Sequence, residues 1–133
     1  MSRRPTDADY ADLLEFRDSL RRFLHWSERE ATAAGITPAQ HQLLLAIRGQ
    51  PANPTIGDVA GHLLLRHHSA VGLVDRAERA GLVRRHVDDG DRRVVRVALT
   101  PLGMRRLEAL SRRHLVELDA LRPHLGALRS LFP

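Results

Sequence analysis

The fold is decided by residues 55–101, which read TIGDVAGHLLLRHHSAVGLVDRAERAGLVRRHVDDGDRRVVRVALTP. This stretch opens with Thr55 and, three residues later, Asp58, which is an acidic form of the capping box that begins a helix. One short helix is predicted to about residue 64, and another from about residue 66 to residue 80, just before a glycine. Two short helices joined so tightly are typical of a helix-turn-helix.

The second half of this stretch has the periodicity of strands. Val83–Val87 predicts a first strand, and Val95–Leu99 predicts a second because it places an apolar residue at every second position. Between them, residues 88–93 are polar with Gly90 in the middle, which predicts a turn with a charged tip. A helix-turn-helix followed directly by a two-stranded hairpin is a winged helix.

Amphipathic helices are predicted on both sides of the winged helix. Residues 7–34 repeat apolar side chains at spacings of three and four, and a second helix is predicted from about residue 37 to Gly49. After the hairpin, Thr100–Pro101 begins a long helix with a leucine-rich face. Pro123 is predicted to open a short last helix.

The predicted fold class is therefore mainly α with a small β-hairpin wing. We expect one domain over residues 1–133, with a winged helix-turn-helix lobe at about 37–100 and dimerisation helices at about 7–34 and 101–132. These outer helices carry more apolar surface than a small winged-helix core can use. The expected dimer surface joins two apolar sets, which are Leu121, Leu125, Leu128, Leu131 and Phe132 on one side and Leu13, Phe16 and Leu20 on the other.

Composition excludes several classes of protein. With 43% hydrophobic and 28% charged residues, the chain is expected to be globular, and neither disordered nor membrane-spanning. The absence of cysteine excludes disulfides and thiolate chemistry. No apolar segment follows the basic first residues, so we expect no secretory signal and a cytoplasmic location.

Positive charge is concentrated in the centre of the chain. The formal net charge is +5, and residues 66–106 hold ten arginines against five acidic residues. A localised basic surface is typical of a protein that binds a polyanion such as nucleic acid. The alternative is a solvated arginine face on an ordinary domain.

Three segments of the chain resemble the MarR-type transcriptional regulators. They are residues 68–83, the triplet Asp91-Arg92-Arg93 and residues 97–103. The resemblance extends from about residue 10 to residue 130, and it implies a homodimer that binds a pseudo-palindromic operator in double-stranded DNA. It also implies a regulator, usually a repressor, that is released when a small aromatic or phenolic effector changes the distance between two DNA-binding lobes.

The DNA-binding residues are expected on the second helix of the helix-turn-helix and on the wing. The first residues of a recognition helix reach base edges, Gly72 leaves room for the sugar-phosphate backbone, and Arg76 could reach a phosphate or a base edge. Arginines at a wing tip can enter a narrow minor groove, and the resemblance implies this role for Arg93, braced by Asp91. The predicted contact residues are Arg66, His67, His68, Ser69, Gly72, Arg76, Arg92 and Arg93.

Each of these assignments has a structural alternative. Arg66 and Ser69 could serve only to cap the helix, and the two wing arginines could be solvated turn residues. The pair Asp75–Arg76 stays open between a structural role and DNA contact.

The resemblance also implies an effector cleft between the dimerisation helices and the DNA-binding lobe, with Trp26 and Arg85 as predicted lining residues. The alternative for Trp26 is ordinary helix packing. No metal or cofactor is expected, because the histidines near the helix-turn-helix do not share one helical face. His114 falls among leucines, where a hydrogen-bonded core or interface histidine is the simplest interpretation.

The predicted function is a sequence-specific, double-stranded DNA-binding transcriptional regulator. No enzyme is predicted, because the chain has neither a Gly-x-Ser-x-Gly setting nor a phosphate-binding loop with lysine. The alternative function is a winged-helix module for protein interaction or dimerisation without specific DNA binding. The substitution Arg93→Ala discriminates between them, since it should cripple only DNA binding.

Overall fold

Helices dominate the structure, a computed structural model that describes residues 3–125. The described elements are α1 (Asp7–Ala33), α2 (Pro38–Arg48), α3 (Ile56–Leu63), α4 (His67–Arg79), β1 (Val83–Val87), β2 (Val95–Leu99) and α5 (Pro101–Leu125). The predicted fold class, mainly α with a β-hairpin wing after a helix-turn-helix, is confirmed.

Threonines fix where three of the helices begin. At the start of α2, Thr37 Oγ1 accepts a hydrogen bond from the backbone N–H of Gln40 at 3.0 Å. The Gln40 side chain in turn accepts one from the Thr37 N–H, also at 3.0 Å. The same reciprocal arrangement, with aspartate in place of glutamine, begins α1 and α3. Each capping box satisfies donors that the first helical turn leaves free, so these helix starts can be read from the sequence.

The helix-turn-helix is formed by α3, α4 and a tight turn. Leu64 ends α3 in the left-handed conformation, with φ 55° and ψ 41°, and α4 begins at His67. The core lies between α2, α3, α4 and the hairpin. Its fully buried side chains include Leu43, Leu44, Val59, Val74, Val83 and Val97.

The wing is an antiparallel hairpin in which Val83 pairs with Leu99 and Val87 pairs with Val95. Its base is attached to the segment before α3, because the Val97 N–H donates to the Pro54 carbonyl at 2.9 Å. This attachment holds the wing on the same lobe as the helix-turn-helix.

The long helices α1 and α5 pack against each other and against α2. Near the lobe, Leu107 and Leu110 of α5 are buried. Farther from it, apolar side chains are exposed, with Leu14 of α1 at 62% and Leu115 of α5 at 69%. The outer helices therefore carry apolar surface that residues 3–125 do not cover.

The prediction that Pro123 opens a separate last helix is wrong for the described residues. Pro123 lies inside α5, which continues to Leu125. A proline removes one backbone hydrogen bond, but α5 stays helical through Pro123 despite that loss. The predicted dimer-surface residues Leu128, Leu131 and Phe132, and the side chain of Leu125, lie outside the described part of the chain.

Candidate nucleic-acid interface

Helix α4 has one buried face and one free face. Leu73, Val74 and Ala77 are buried, as predicted from their spacing. The opposite face, at spacings of three and four, presents side chains that the core does not use. Its members are His68, Gly72, Arg76 and Arg79.

Most side chains at the start of α4 are exposed to solvent. Arg66 occupies the N-cap position with an extended backbone, but its side chain makes no capping hydrogen bond. His67 and His68 are exposed, and Ser69 is partly buried. The backbone N–H groups and the positive end of the helix dipole favour an anion at this point. The arrangement suits a phosphate or the edge of a base.

Arg76 lies over the position of Gly72. A Cβ added at Gly72 would be 3.2 Å from Arg76 Nη1, so the absence of a side chain lets the guanidinium rest on the helix surface. Among residues 3–125, neither Arg66 nor Arg76 is ion-paired with a carboxylate. Both charges are therefore available to an external anion.

The wing tip is ordered by two aspartates. Asp91 accepts hydrogen bonds from the Arg93 backbone N–H at 3.0 Å and from Arg93 Nε at 3.1 Å. The hydrogen bond from the Arg93 guanidinium, and to a lesser extent the one from its backbone N–H, hold the pKa of the Asp91 carboxyl below its usual value. Asp88 accepts from the Gly90 and Asp91 N–H groups, each at 3.0 Å. The Arg93 side chain remains 91% exposed, and Arg92 is exposed beside it.

Arg85 joins the wing to α4. Its Nη2 donates to Asp75 Oδ1 at 2.5 Å and its Nη1 to Glu78 Oε1 at 2.9 Å. The Arg85 backbone N–H also donates to the Glu78 carboxylate at 3.2 Å. The sequence left the role of Asp75 and Arg76 open between structure and DNA contact. Asp75 has a structural partner in Arg85, whereas Arg76 has no ion-pair partner among residues 3–125. Sequence reasoning missed Glu78. Asp75 and Glu78 are three residues apart on α4, so they lie on one face of the helix, and this spacing could have indicated a shared basic partner.

A separate cavity of about 590 Å³ lies between α1, α2 and α5. Neither Trp26 nor Arg85, the predicted effector-cleft residues, lines it. Trp26 packs beside it, with its ring centroid 4.8 Å from that of His114. His114 does line it and is hydrogen-bonded within the helices, as its place among the leucines predicts. Sequence reasoning also missed the buried His41 in the same wall.

Residues 3–125 contain neither a candidate metal site nor a candidate membrane span. No group of three or more His, Cys, Asp or Glu side chains there could hold a metal ion. None of the helices described is both long enough and apolar enough to span a bilayer.

A recognition helix, a tight turn and an arginine-tipped hairpin define a winged helix-turn-helix protein. The MarR family model matches residues 34–94. A MarR family protein from Bacillus stearothermophilus has the same fold, with 25% identity, a TM-score of 0.78 and 96% of each chain covered. The resemblance to the MarR family is therefore confirmed, by sequence in the lobe and by fold across most of the chain.

Other relatives extend the comparison. The HTH-type transcriptional regulator YsmB of Bacillus subtilis (strain 168) is 43% identical over 51 residues, which are 38% of this chain and 35% of that protein. A mutant of S. aureus MepR bound to an oligodeoxyribonucleotide shares the fold at 23% identity and a TM-score of 0.67, covering 93% of this chain and 98% of that one.

CouR from Rhodococcus jostii RHA1, bound to p-coumaroyl-CoA, also shares the fold at 24% identity and a TM-score of 0.64. The match covers 84% of this chain and 85% of that one. Together these matches support a DNA-binding transcriptional regulator.

Proposed function

We propose that this chain is a homodimeric, sequence-specific repressor of transcription that binds a pseudo-palindromic operator and is released by a small-molecule effector. The observation that carries the proposal is the free face of α4, where Arg66 and Arg76 lack carboxylate partners among the described residues. It stands on the same lobe as a wing tip that exposes two more arginines.

The proposed contacts divide by groove. The first turn of α4, from Arg66 to Ser69, enters the major groove, where side chains distinguish the base pairs. Gly72 lets the sugar-phosphate backbone approach, and Arg76 binds a phosphate. Arg93 enters the adjacent minor groove in the orientation that Asp91 gives it.

The dimer is proposed from exposed apolar surface. Leu14 and Leu115 are more than half exposed on the two outer helices, and Tyr10, Leu24 and Val116 are comparably exposed. Single exposed leucines are ordinary, but several on two packed helices indicate an interface. A twofold dimer would place two α4 helices about 34 Å apart, one turn of DNA.

The effector is proposed to bind in the cavity between α1, α2 and α5. The helix α2 belongs to the DNA-binding lobe, whereas α1 and α5 form the proposed dimer surface. A molecule bound in the cavity would therefore bias the angle between the lobe and the two outer helices. Such an effector weakens DNA binding only if it binds the conformation that does not bind DNA more tightly than the conformation that does.

The proposal is tested by the affinity of two variants for a duplex recovered by selection from random DNA. Arg93→Ala should weaken binding about 5–150-fold, the cost of about 1–3 kcal/mol for a groove contact. Arg112→Ala is the matched control, since Arg112 is an exposed arginine on α5 paired with Glu108.

Fluorescence anisotropy gives both affinities. If Arg93→Ala and Arg112→Ala bind the duplex as tightly as the unchanged chain, the proposed contact is wrong. If no duplex is enriched at all, the protein-interaction alternative replaces it.

A further inference from the structure

A hollow of about 490 Å³ lies at the base of the wing. Arg84 and Ala98, which pair across the hairpin, line one side of it, whereas the next residue, Arg85, reaches α4 from the opposite face of the strand. The end of α2, residues 50–53 and the first turn of α5 form the other sides. This wing-base hollow is therefore separate from the free face of α4 and from the cavity between α1, α2 and α5.

Two guanidinium groups without carboxylate partners line the wing-base hollow. Arg48 ends α2 and Arg84 lies in β1, and both residues are exposed. Neither is ion-paired within residues 3–125, in contrast to Arg85 and Arg96 on the same hairpin. No aspartate or glutamate is among the described residues that line the hollow. The charged groups there are thus all positive, and they favour an anionic occupant.

Most of the other lining residues are apolar. They include Ile47, Pro51, Leu99 and Met104. Sites for small molecules typically have volumes of about 300–1,000 Å³, apolar walls and a few polar groups that fix the orientation of the ligand. The wing-base hollow has this size and lining, so an occupant is expected to carry an apolar part beside its anionic group.

A chain of hydrogen bonds runs from the wall of the hollow to the wing tip. The backbone carbonyl of Asn53 accepts a hydrogen bond from Arg96 Nη1 at 2.8 Å, and Arg96 Nε donates to Asp88 Oδ1 at 2.5 Å. Asp88 in turn accepts from the backbone N–H groups of Gly90 and Asp91. The position of Asn53 is therefore tied to the conformation of the tip.

We propose that the wing-base hollow binds a small organic phosphate, with its phosphate group between Arg48 and Arg84 and its apolar part on the apolar wall. Guanidinium groups bind phosphate through paired, charge-assisted hydrogen bonds. A phosphate monoester carries a charge of about −1.5 to −2 near neutral pH, which matches the two unpaired arginines.

Such an occupant would also order the wing. It would hold residues 50–53 against the hairpin, and a wing that is ordered beforehand loses less freedom when it binds DNA. The tip begins about 13 Å along the strand from Arg84, and the Debye length is about 8 Å, so repulsion between the bound phosphate and DNA is largely screened. We therefore expect tighter operator binding. This coupling rests on the proposed function, whereas the anion site itself does not.

Three ligands test the site by isothermal titration calorimetry of the full chain at pH 7.5 and constant ionic strength. They are phenyl phosphate, its nearly isosteric monoanion phenyl sulfate, and inorganic phosphate, which lacks the ring. Phenyl phosphate should bind about tenfold more tightly than phenyl sulfate, since the second charge strengthens the hydrogen bonds to arginine. Loss of the ring should weaken binding about fivefold. No binding of phenyl phosphate, or equal binding of phenyl sulfate, overturns the proposal.

Two variants locate the phosphate. Arg48→Gln and Arg84→Gln each remove one charge at an exposed position, and each should weaken phenyl phosphate about tenfold. Arg17→Gln is the matched control, because Arg17 is an exposed arginine on α1 without an ion-pair partner among residues 3–125. An equal loss in Arg17→Gln shows that binding follows net charge alone and overturns the site, as does unchanged binding in either hollow variant.

Operator titrations with and without saturating phenyl phosphate test the coupling. We expect operator affinity to rise about fivefold, and linkage requires the operator duplex to tighten phenyl phosphate by the same factor. If phenyl phosphate binds in the expected order but operator affinity stays constant or falls, the link to the wing is wrong and the anion site stands. If the binding order holds but selection yields no operator, the regulator role fails and the anion site again stands.

Discussion

Gly103, in the first turn of α5, lies against the backbone of Leu82. A Cβ at this position would be 2.0 Å from the Leu82 carbonyl oxygen and 3.0 Å from its carbonyl carbon. Both atoms belong to the main chain, so a side chain cannot be accommodated by a rotamer change. Glycine is therefore required here by close approach between α5 and the segment before the wing.

Gly103→Ala should lower the free energy of unfolding by about 1–3 kcal/mol, the usual cost of overpacking. Gly61→Ala is the matched control, because Gly61 is exposed in α3 and an added Cβ there meets nothing within 4 Å. That change should raise stability by about 0.5–1 kcal/mol through helix propensity. Urea unfolding measures both, and a stabilising Gly103→Ala would show that the contact with Leu82 does not exist.

Individual residues were predictable where their role is local. The buried positions of α4 and the threonine caps follow from spacing along one helix. The partners of Arg85 and the burial of His41 depend on distances between separate elements, which sequence periodicity does not contain. The roles predicted for Arg92 and Arg93 in DNA contact stay predictions.

An ion-paired link between α4 and β1 ties the orientation of the wing to that of the recognition helix. Arg85 bridges Asp75 and Glu78, and its side chain is 26% exposed. We infer that Arg85 positions the wing and does not itself contact DNA. Its neighbour Arg84 lies on the other side of the strand.

Arg85→Met keeps the aliphatic stem and removes the guanidinium. Stability should change by less than about 1 kcal/mol, while operator affinity should fall because the wing loses its fixed orientation. The slope of log affinity against log salt should stay unchanged, whereas Arg93→Ala should reduce its magnitude by about 1. Anisotropy titrations at several salt concentrations give the slopes. A shallower slope for Arg85→Met would place Arg85 on a phosphate.

Stability should also depend on pH through the junction of α1, α2 and α5. Burial lowers the pKa of His41 in the folded state, so between about pH 6.5 and that lowered pKa the unfolded chain binds more protons. The contribution of His41 to stability is therefore present above about pH 6.5 and is lost as the pH falls. The free energy of unfolding of His41→Gln, by urea at pH 7.5 and 5.0, should decline less than that of the unchanged chain. An identical decline for both proteins contradicts a buried neutral His41.

Elements were predictable because their ends carry local signals. Capping boxes, glycines and strand alternation located α1 to α5 and the hairpin within a few residues. Pro123 was misread because proline is typical of the first turn of a helix, whereas α5 continues through it. The cavity was not predictable, since three helices distant in sequence form it.

The described part of the chain combines a lobe with two long helices that carry exposed apolar side chains. Eight of the ten arginines in residues 66–106 lie before α5, at α4 and on the wing, whereas the large exposed apolar side chains Leu14 and Leu115 lie on α1 and α5. The fold of the lobe could be predicted because the signals for its helices and its hairpin are local in the sequence, although Ala31, Leu107 and Leu110 of the outer helices complete its core. The proposed arrangement of two copies could not be predicted, because it depends on contacts between separate chains, which the periodicity of one chain does not contain.

Selection of random duplex DNA by the full chain tests most directly whether paired copies present α4 and an arginine-tipped wing to one duplex. We expect an enriched pseudo-palindrome with half-site centres about 10 base pairs apart, or a multiple of that, occupied by two chains. Enrichment of a single asymmetric site occupied by one chain, or no enrichment over the starting pool, would contradict it.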